Sequence, residues 1–500
     1  MTQPYPDTFT AAPPTKRELA LLAGVVAAAA LLRFATLDLQ SFDHDEAVTA
    51  GRVLVPDLFH TLKHVADGER SPPLYYLLAW LWSRVFGTGE VGLRSLSALI
   101  GTLTVPAAWL AGRQLASPRV GLWTASFVAL NPYLIWYSQE ARSYALMVLF
   151  LTLGLAFFAR SLTDGDTSSL SLWALTSALA VCSHYFAAFL VAPQAIWLLW
   201  TLKRSRRHVL VRVSAVAVIG LFLVPLAINQ EGTGRRNGFT DIPLASRVAE
   251  LPVKFMAGEQ PDPLAGTAAV DAVQIGAATA GGVLFVCALV LLYKRGSPYE
   301  KSRAFLASFV AACALVLPTL LALAGIDFLN PRNLLGGLVP LLVLGASGFA
   351  ARRTGWLGAG CATAACLLFL AVDVAVLESA QMHRPDWRAA ANAIGATHHT
   401  RIIVTNANGD TALDYYLPAR TYRPSRFPRP VRTRQIDALA TNYKVTPPPG
   451  FRLVSRQSVP PLFILDRFVA PHSRAIRLST LAGHSVLTER SEILVQKPSR

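Results

Sequence analysis

The sequence predicts a polytopic α-helical membrane protein of about eleven spans, followed by a small α/β domain. Three observations carry that reading. Of 500 residues, 53% are hydrophobic and only 15% charged, where a soluble domain carries about a quarter charged. The apolar residues stand in blocks long enough to cross a bilayer, which takes about 20 residues each. From residue 378 onward the blocks stop, and the chain becomes polar and rich in Pro and Arg, with 18 Lys and Arg against 8 Asp and Glu.

The elements follow in chain order. Residues 1–18 form a polar cytoplasmic tail ending in Lys16 and Arg17. The run after them reads as an uncleaved first span rather than a signal peptide, because no small-residue cleavage site follows it. Apolar length places spans at 19–38, 95–112, 120–137, 143–160, 169–182, 185–202, 209–228, 268–292, 304–324, 333–350 and 355–377. The stretch 169–202 is too long for one span and divides at Ser183-His184-Tyr185. Leu74–Ser83 is too short to cross and follows Pro72-Pro73, so it reads as a helix lying in the interface, with Tyr and Trp at headgroup level.

Charge decides that point. If the interfacial helix does not cross, fourteen Lys and Arg fall in short cytoplasmic loops: Arg113, Arg119, Arg160, Lys203, Arg204, Arg206, Arg207, Arg212, Lys294, Arg295, Lys301, Arg303, Arg352 and Arg353. If it crosses, that side holds only eight, among them Arg235 and Arg236. The positive-inside rule favours the first arrangement. It sets two long outer loops, 39–94 and 229–267, and an outer C-terminal region, on a membrane domain of residues 19–377. In the region 378–500, a helix is expected over 387–394 and strands over 401–405, 461–465 and 491–496.

Composition also excludes classes. The five cysteines lie inside apolar blocks, without disulfide or zinc spacing. The net charge of +16 accompanies no basic amphipathic helix and no nucleic-acid motif, so it reads as cytoplasmic loop charge and contact with anionic headgroups of the lipid bilayer.

The unusual polar residues gather at outer helix ends and loops. Asp43-His44-Asp45-Glu46 follows the first span. Three carboxylates there are either a wet loop start or a general base, with a divalent cation such as Mg or Mn as a third use. Tyr137-Ser-Gln-Glu140-Ala-Arg142-Ser-Tyr144 fills one outer turn, His184-Tyr185 another, and Asn330-Pro331-Arg332-Asn333 a third; Arg70-Ser71-Pro72-Pro73 brings the chain onto the membrane. Each has a plain structural reading: Glu140 and Arg142 as an interface pair, His184 as a satisfied wall histidine. Taken together, a carboxylate, a histidine and arginines at one membrane face suit an anionic lipid and a hydroxyl acceptor. A sugar on a polyprenyl phosphate carries its own leaving group, so it needs cations for the departing phosphate and one carboxylate as base. One base with in-line displacement inverts the anomeric centre; a retaining route would want a second carboxylate.

At these residues the chain resembles the bacterial relatives of protein O-mannosyltransferases and lipid A aminoarabinose transferases, glycosyltransferase family 39. The resemblance rests on Phe42-Asp-His-Asp-Glu46, Pro72-Pro73-Leu74, Arg94-Ser-Leu-Ser-Ala-Leu-Ile-Gly-Thr-Leu-Thr-Val-Pro106, Tyr137–Tyr144, His184-Tyr185 and Pro331-Arg332. It runs over about 15–350, and its most specific segments are 94–106 and 137–144. It implies a GT-C glycosyltransferase whose active site faces outward and whose catalytic pair is Asp45, the base, and Glu46. Asp43, Arg70, Glu140, Arg142, Tyr144, His184, Tyr185 and Arg332 are the expected donor-phosphate and substrate residues. Ser71 stands where relatives often carry His or Lys, and Asn333 where a Tyr often follows the Arg. The expected partners are a polyprenyl-phosphate sugar donor and a hydroxyl acceptor, with no nucleic acid. A transporter or flippase would place its polar site at the midplane, and a scaffold would tolerate loss of the carboxylates.

Overall fold

The computed structural model describes residues 13–164, 166–231, 242–259, 268–406, 409–417, 421–422, 429–441, 445–482, 485–487 and 490–498. Arg235 and Arg236, counted above, lie outside them. The chain forms two compact units. The first comprises Met1–Leu37, Leu54–Glu259 and Ala272–Val374; the second is built chiefly from Asp38–Val53 and Ala375–Arg500.

The helices run in order α1 (Lys16–Phe34), α2 (His44–Val48), α3 (Leu58–Gly68), α4 (Leu74–Phe86), α5 (Glu90–Leu115), α6 (Pro118–Leu130), α7 (Pro132–Ser138), α8 (Tyr144–Asp164), α9 (Thr167–Ser183) and α10 (Ala188–Thr201). They continue as α11 (Arg206–Glu231), α12 (Leu244–Ala249), α13 (Leu251–Ala257), α14 (Ala268–Arg295), α15 (Pro298–Leu323), α16 (Leu338–Phe349), α17 (Gly355–Glu378), α18 (Trp387–Ile394) and α19 (Gly409–Tyr416). Among the described residues, seven helical stretches are long and apolar enough to cross a membrane. The other four expected spans fall on helices that are shorter, charged at their ends or broken: α1, α9, α10 and the α6–α7 pair. Asn131-Pro132 interrupts that pair. Asn131 caps α7 by accepting from Leu134 N–H, and Pro132 opens it. The protein is a multi-pass membrane protein.

In the first unit, α4 is 13 residues long, roughly 20 Å at 1.5 Å per residue, too short for a span. It buries Tyr75, Tyr76, Ala79 and Ser83 on one face and exposes Leu81, Val85 and Phe86, as an interfacial helix should. Helices α5 and α6 approach through facing glycines. A Cβ at Gly121 would meet Trp109 O at 2.7 Å, so the backbones touch there. Buried cations close helix ends instead of standing free. Arg303 donates to Leu115 O and Gln114 O at 2.9 Å each, giving partners to carbonyls orphaned at the end of α5. Arg113 pairs with Glu18 at 2.5 Å.

The second unit carries a six-stranded sheet in the order β2-β6-β1-β3-β5-β4. The strands are β1 (Arg401–Asn406), β2 (Thr421–Tyr422), β3 (Val431–Ala440), β4 (Arg452–Val459), β5 (Phe463–Ile476) and β6 (Ser491–Gln496). β1 and β3 are parallel, and every other neighbouring pair is antiparallel. Ile402, Val404, Ile436, Ala438, Phe468 and Val495 form part of its core. Asp437 is fully buried there between Arg401 at 3.1 Å and Arg467 at 3.3 Å. The domain expected over 378–500 therefore takes in a segment from the start of the chain: Asp38–Val53, the stretch holding the three carboxylates, packs with it.

Candidate active site

The candidate residues fall into two groups, one in each unit. The first is the carboxylate turn of the second unit. Asp43 is the N-cap of α2. Glu46, at the third helical position, reaches back to accept from Asp43 N–H at 3.2 Å, which is half of a capping box. Glu46 is fully buried, and Nη1 of Arg384 lies 3.6 Å from its Oε2. Asp45 and Asp43 are only partly buried. Desolvation first, then the neighbouring Asp45, push the Asp43 carboxyl above its ordinary value. The turn is held from several sides. Phe42 N–H donates to Tyr416 Oη at 2.7 Å, and the Phe42 ring meets Tyr415 edge-on at 5.3 Å. Ser41 Oγ donates to Pro385 O at 3.1 Å and accepts from Trp387 N–H at 3.0 Å. Beyond the turn, Arg52 acts electrostatically on Asp410 and Asp414 of α19. Among the described residues no group of three or more His, Cys, Asp or Glu side chains is placed to hold a metal ion.

The second group is the basic cluster of the first unit. Arg142 Nη1 pairs with Glu69 at 2.8 Å, and Glu69 also accepts from Tyr76 Oη at 2.6 Å. Glu69, ahead of helix α4, is thus one partner of Arg142, and the carbonyl of Glu140 accepts from Arg142 N–H at 2.7 Å. Arg332 sits over the Tyr144 ring at 5.6 Å. His184 lies 5.5 Å from that same ring. Its Nδ1 accepts from Phe186 N–H at 3.2 Å. Burial, then Arg142 and Arg332, lower the His184 pKa to about 3. The ring is therefore neutral, and with Nδ1 accepting, its proton is on Nε2. Both arginines act on His184 electrostatically and disfavour its charged form.

Neighbouring contacts fix this group. Tyr185 Oη donates to Gln230 Oε1 at 2.9 Å, and Gln230 Nε2 donates to Val65 O at 2.9 Å and Ser71 O at 3.1 Å. That network anchors the segment carrying Glu69 and Arg70. Arg247 donates to Asp327 at 2.9 Å and to Leu329 O at 2.5 Å, holding the approach to the Arg332 turn. The two most specific sequence segments meet each other. At Gly101 an added Cβ would lie 2.6 Å from Ser138 Cβ, and Ser138 Oγ accepts from Arg33 Nε at 3.2 Å. Arg33 also donates to Ala129 O and Val128 O, and Arg94 to Leu37 O at 2.9 Å. These bonds fix the end of α1. Sequence reasoning missed Glu69, Gln230, Arg384 and Tyr416. Glu69 had a signal, as a carboxylate beside Arg70 and the Pro pair; the others had none local to the motifs.

Residues 70–228 match the family described as dolichyl-phosphate-mannose-protein mannosyltransferase. The fold is similar to ArnT from Cupriavidus metallidurans in the apo state, with a TM-score of 0.56 and 13% identity over 90% of this chain and 98% of that one. The same enzyme bound to undecaprenyl phosphate gives a TM-score of 0.56 and 13% identity over 92% and 99%. No curated protein sequence matches the chain.

Proposed function

We propose that this chain, which has the GT-C glycosyltransferase fold, moves a sugar from a polyprenyl-phosphate donor to a hydroxyl acceptor at the outer face of the membrane, with inversion. The observation that carries the reading is the Tyr144 ring with Arg332 over it at 5.6 Å and His184 beside it at 5.5 Å, a cation and a ring donor brought together from separate turns. Arg332 is the main phosphate holder in this reading, on its place over the Tyr144 ring at 5.6 Å, the ring that His184 also faces at 5.5 Å. The Nε2–H of His184 adds a donor without adding charge. Asp45 takes the proton of the acceptor hydroxyl. The freed oxygen bonds to the anomeric carbon as the bond from that carbon to the phosphate oxygen breaks, and the polyprenyl phosphate leaves as an anion held by the arginine. Glu46, bonded to its own helix cap and beside Arg384, keeps the turn in shape.

Purified protein tests both halves together. Undecaprenyl phosphate should raise the melting temperature of the wild type and of Asp45→Asn, while Asp45→Asn loses transfer by on the order of 10²-fold or more. Arg332→Ala should lose the lipid-phosphate shift, and Arg332→Lys should keep part of it, since Lys retains charge but not the fork. Near-normal turnover by Asp45→Asn would remove the base. An unchanged lipid-phosphate shift in Arg332→Ala would remove the phosphate holder.

A further inference from the structure

The base loop of this chain is shaped by residues that arrive only after the last span. Arg384 N–H donates to Gln40 Oε1 at 2.8 Å, and the Arg384 guanidinium faces Glu46 Oε2 at 3.6 Å. Arg388 Nη2 donates to Asp38 O at 2.9 Å. With the Ser41 bonds to Pro385 and Trp387 described above, the five residues Arg384–Arg388 run along Asp38–Glu46 as a brace. Within that brace Arg384 is the cation placed against the carboxylates. It is 6% exposed and Glu46 is fully buried, so the pair is out of water, where an opposite charge counts most. Other charged groups around the turn are His44 and Arg52 on the loop, Asp386 and Arg388 in the brace, and Asp410 and Asp414 on α19. Arg52 acts electrostatically on those two acids, while Arg384 acts on Asp43 as well as facing Glu46.

We propose that Arg384 is a positioning residue for sugar transfer: by holding Glu46 it fixes the first turn of α2 and so the direction of the Asp45 carboxylate. This rests on the reading of Asp45 as the base. Glu46 has one oxygen, Oε2, shared between the cap of its own helix and the Arg384 guanidinium. Losing the cation leaves that oxygen without its charge partner and loosens the turn it caps. The carboxylate one residue earlier moves with it, and a shift of about 1 Å in a reacting group costs on the order of 10²-fold in rate.

The test uses the full-length protein in detergent, with kinetics and undecaprenyl-phosphate melting shifts on each variant. Arg384→Gln should lower kcat by roughly 10- to 100-fold while the donor KM and the lipid-phosphate shift stay within about twofold of wild type. Arg384→Lys should recover part of kcat. Glu46→Gln keeps an oxygen for the Asp43 cap but removes the charge, and it should lower kcat to a similar extent. Because that substitution also removes the uncompensated buried charge, the double variant Glu46→Gln/Arg384→Gln stays folded even where Arg384→Gln alone does not. Its kcat should match the Glu46→Gln single variant, since the two residues act as one unit. Multiplying losses in the double variant would overturn the proposal, as would wild-type kcat in Arg384→Gln. A parallel fall of kcat, donor affinity and melting temperature that Lys does not relieve would also overturn it, by making Arg384 a fold residue only. Normal turnover by Asp45→Asn would sink the base reading instead, so the two failures are distinguishable.

Discussion

His184 shows how a single side chain changes meaning with its surroundings. In sequence it is a histidine beside an apolar wall; in the structure burial and two arginines lower its pKa to about 3. In the unfolded chain it titrates near 6.5. Between those values the unfolded chain binds the extra proton, so stability rises with pH across that window and is lost as pH falls. His184→Asn keeps an acceptor for Phe186 N–H, as an N-cap residue should, and does not titrate. Melting curves from pH 7 to pH 4 should therefore fall less steeply for the variant, by up to about 1.4 kcal/mol per pH unit. Identical slopes would mean that the ring's titration contributes nothing. Glu46 changed meaning in a different way. To the chemistry its motif implies beside Asp45, its position adds a cap and an ion pair. Sequence spacing places both residues in one turn but does not say which of them faces inward.

At the scale of elements, legibility followed hydrophobic pattern. The spans were readable because their apolar runs are long, and helix α18 begins and ends where its pattern does, at Trp387 and Ile394. Strands β1 and β6 were readable as short apolar runs. β5 was expected over 461–465 and instead runs from Phe463 to Ile476, because its continuation carries Asp466 and Arg467, whose charges are met by Arg456 and Asp437 on the neighbouring strands. β4 is exposed along nearly all its length at the sheet edge, so it shows no buried face to detect. β3 hides its period behind Thr433, Gln435 and Asp437. The meeting of α5 with α7 was also silent, since a glycine inside a span looks like any small residue. Gly101→Ala should drive its new methyl into Ser138 and cost about 1–3 kcal/mol, seen as a lower melting temperature. Adding Ser138→Gly should recover part of that loss; no recovery would place the strain elsewhere.

For the whole molecule, the arrangement in the membrane is testable by reporters alone. The Lys and Arg clusters at Lys203–Arg207 and Lys294–Arg303 are expected on the cytoplasmic side. A reporter fused after Ser205 or Gly296 should read cytoplasmic. One placed after Gly232 or at Arg500, positions outside the described residues, should read exoplasmic. An exoplasmic signal at Ser205 would invert the topology and move the carboxylate turn and the basic cluster to the wrong side for an outer acceptor. The division of candidate residues between two compact units could not be read from the sequence, because the unit containing Asp45 is closed by residues more than three hundred positions away.

That separation has a consequence for biogenesis. Ser41 bonds to a carbonyl 344 residues later in the chain, and Phe42 to a hydroxyl 374 residues later. The ribosome delivers the carboxylate turn with the first helix and its brace only after every span has been made. Joining such distant segments has a chain-entropy cost, though one that grows slowly with length. Throughout synthesis the turn waits without Arg384 or Tyr416, and a chain arrested at the end of α17 has its long apolar helices but not the residues that hold the Asp45 turn. On the reading of Asp45 as the base, a chain truncated after α17 should therefore lack sugar transfer even where it reaches the membrane.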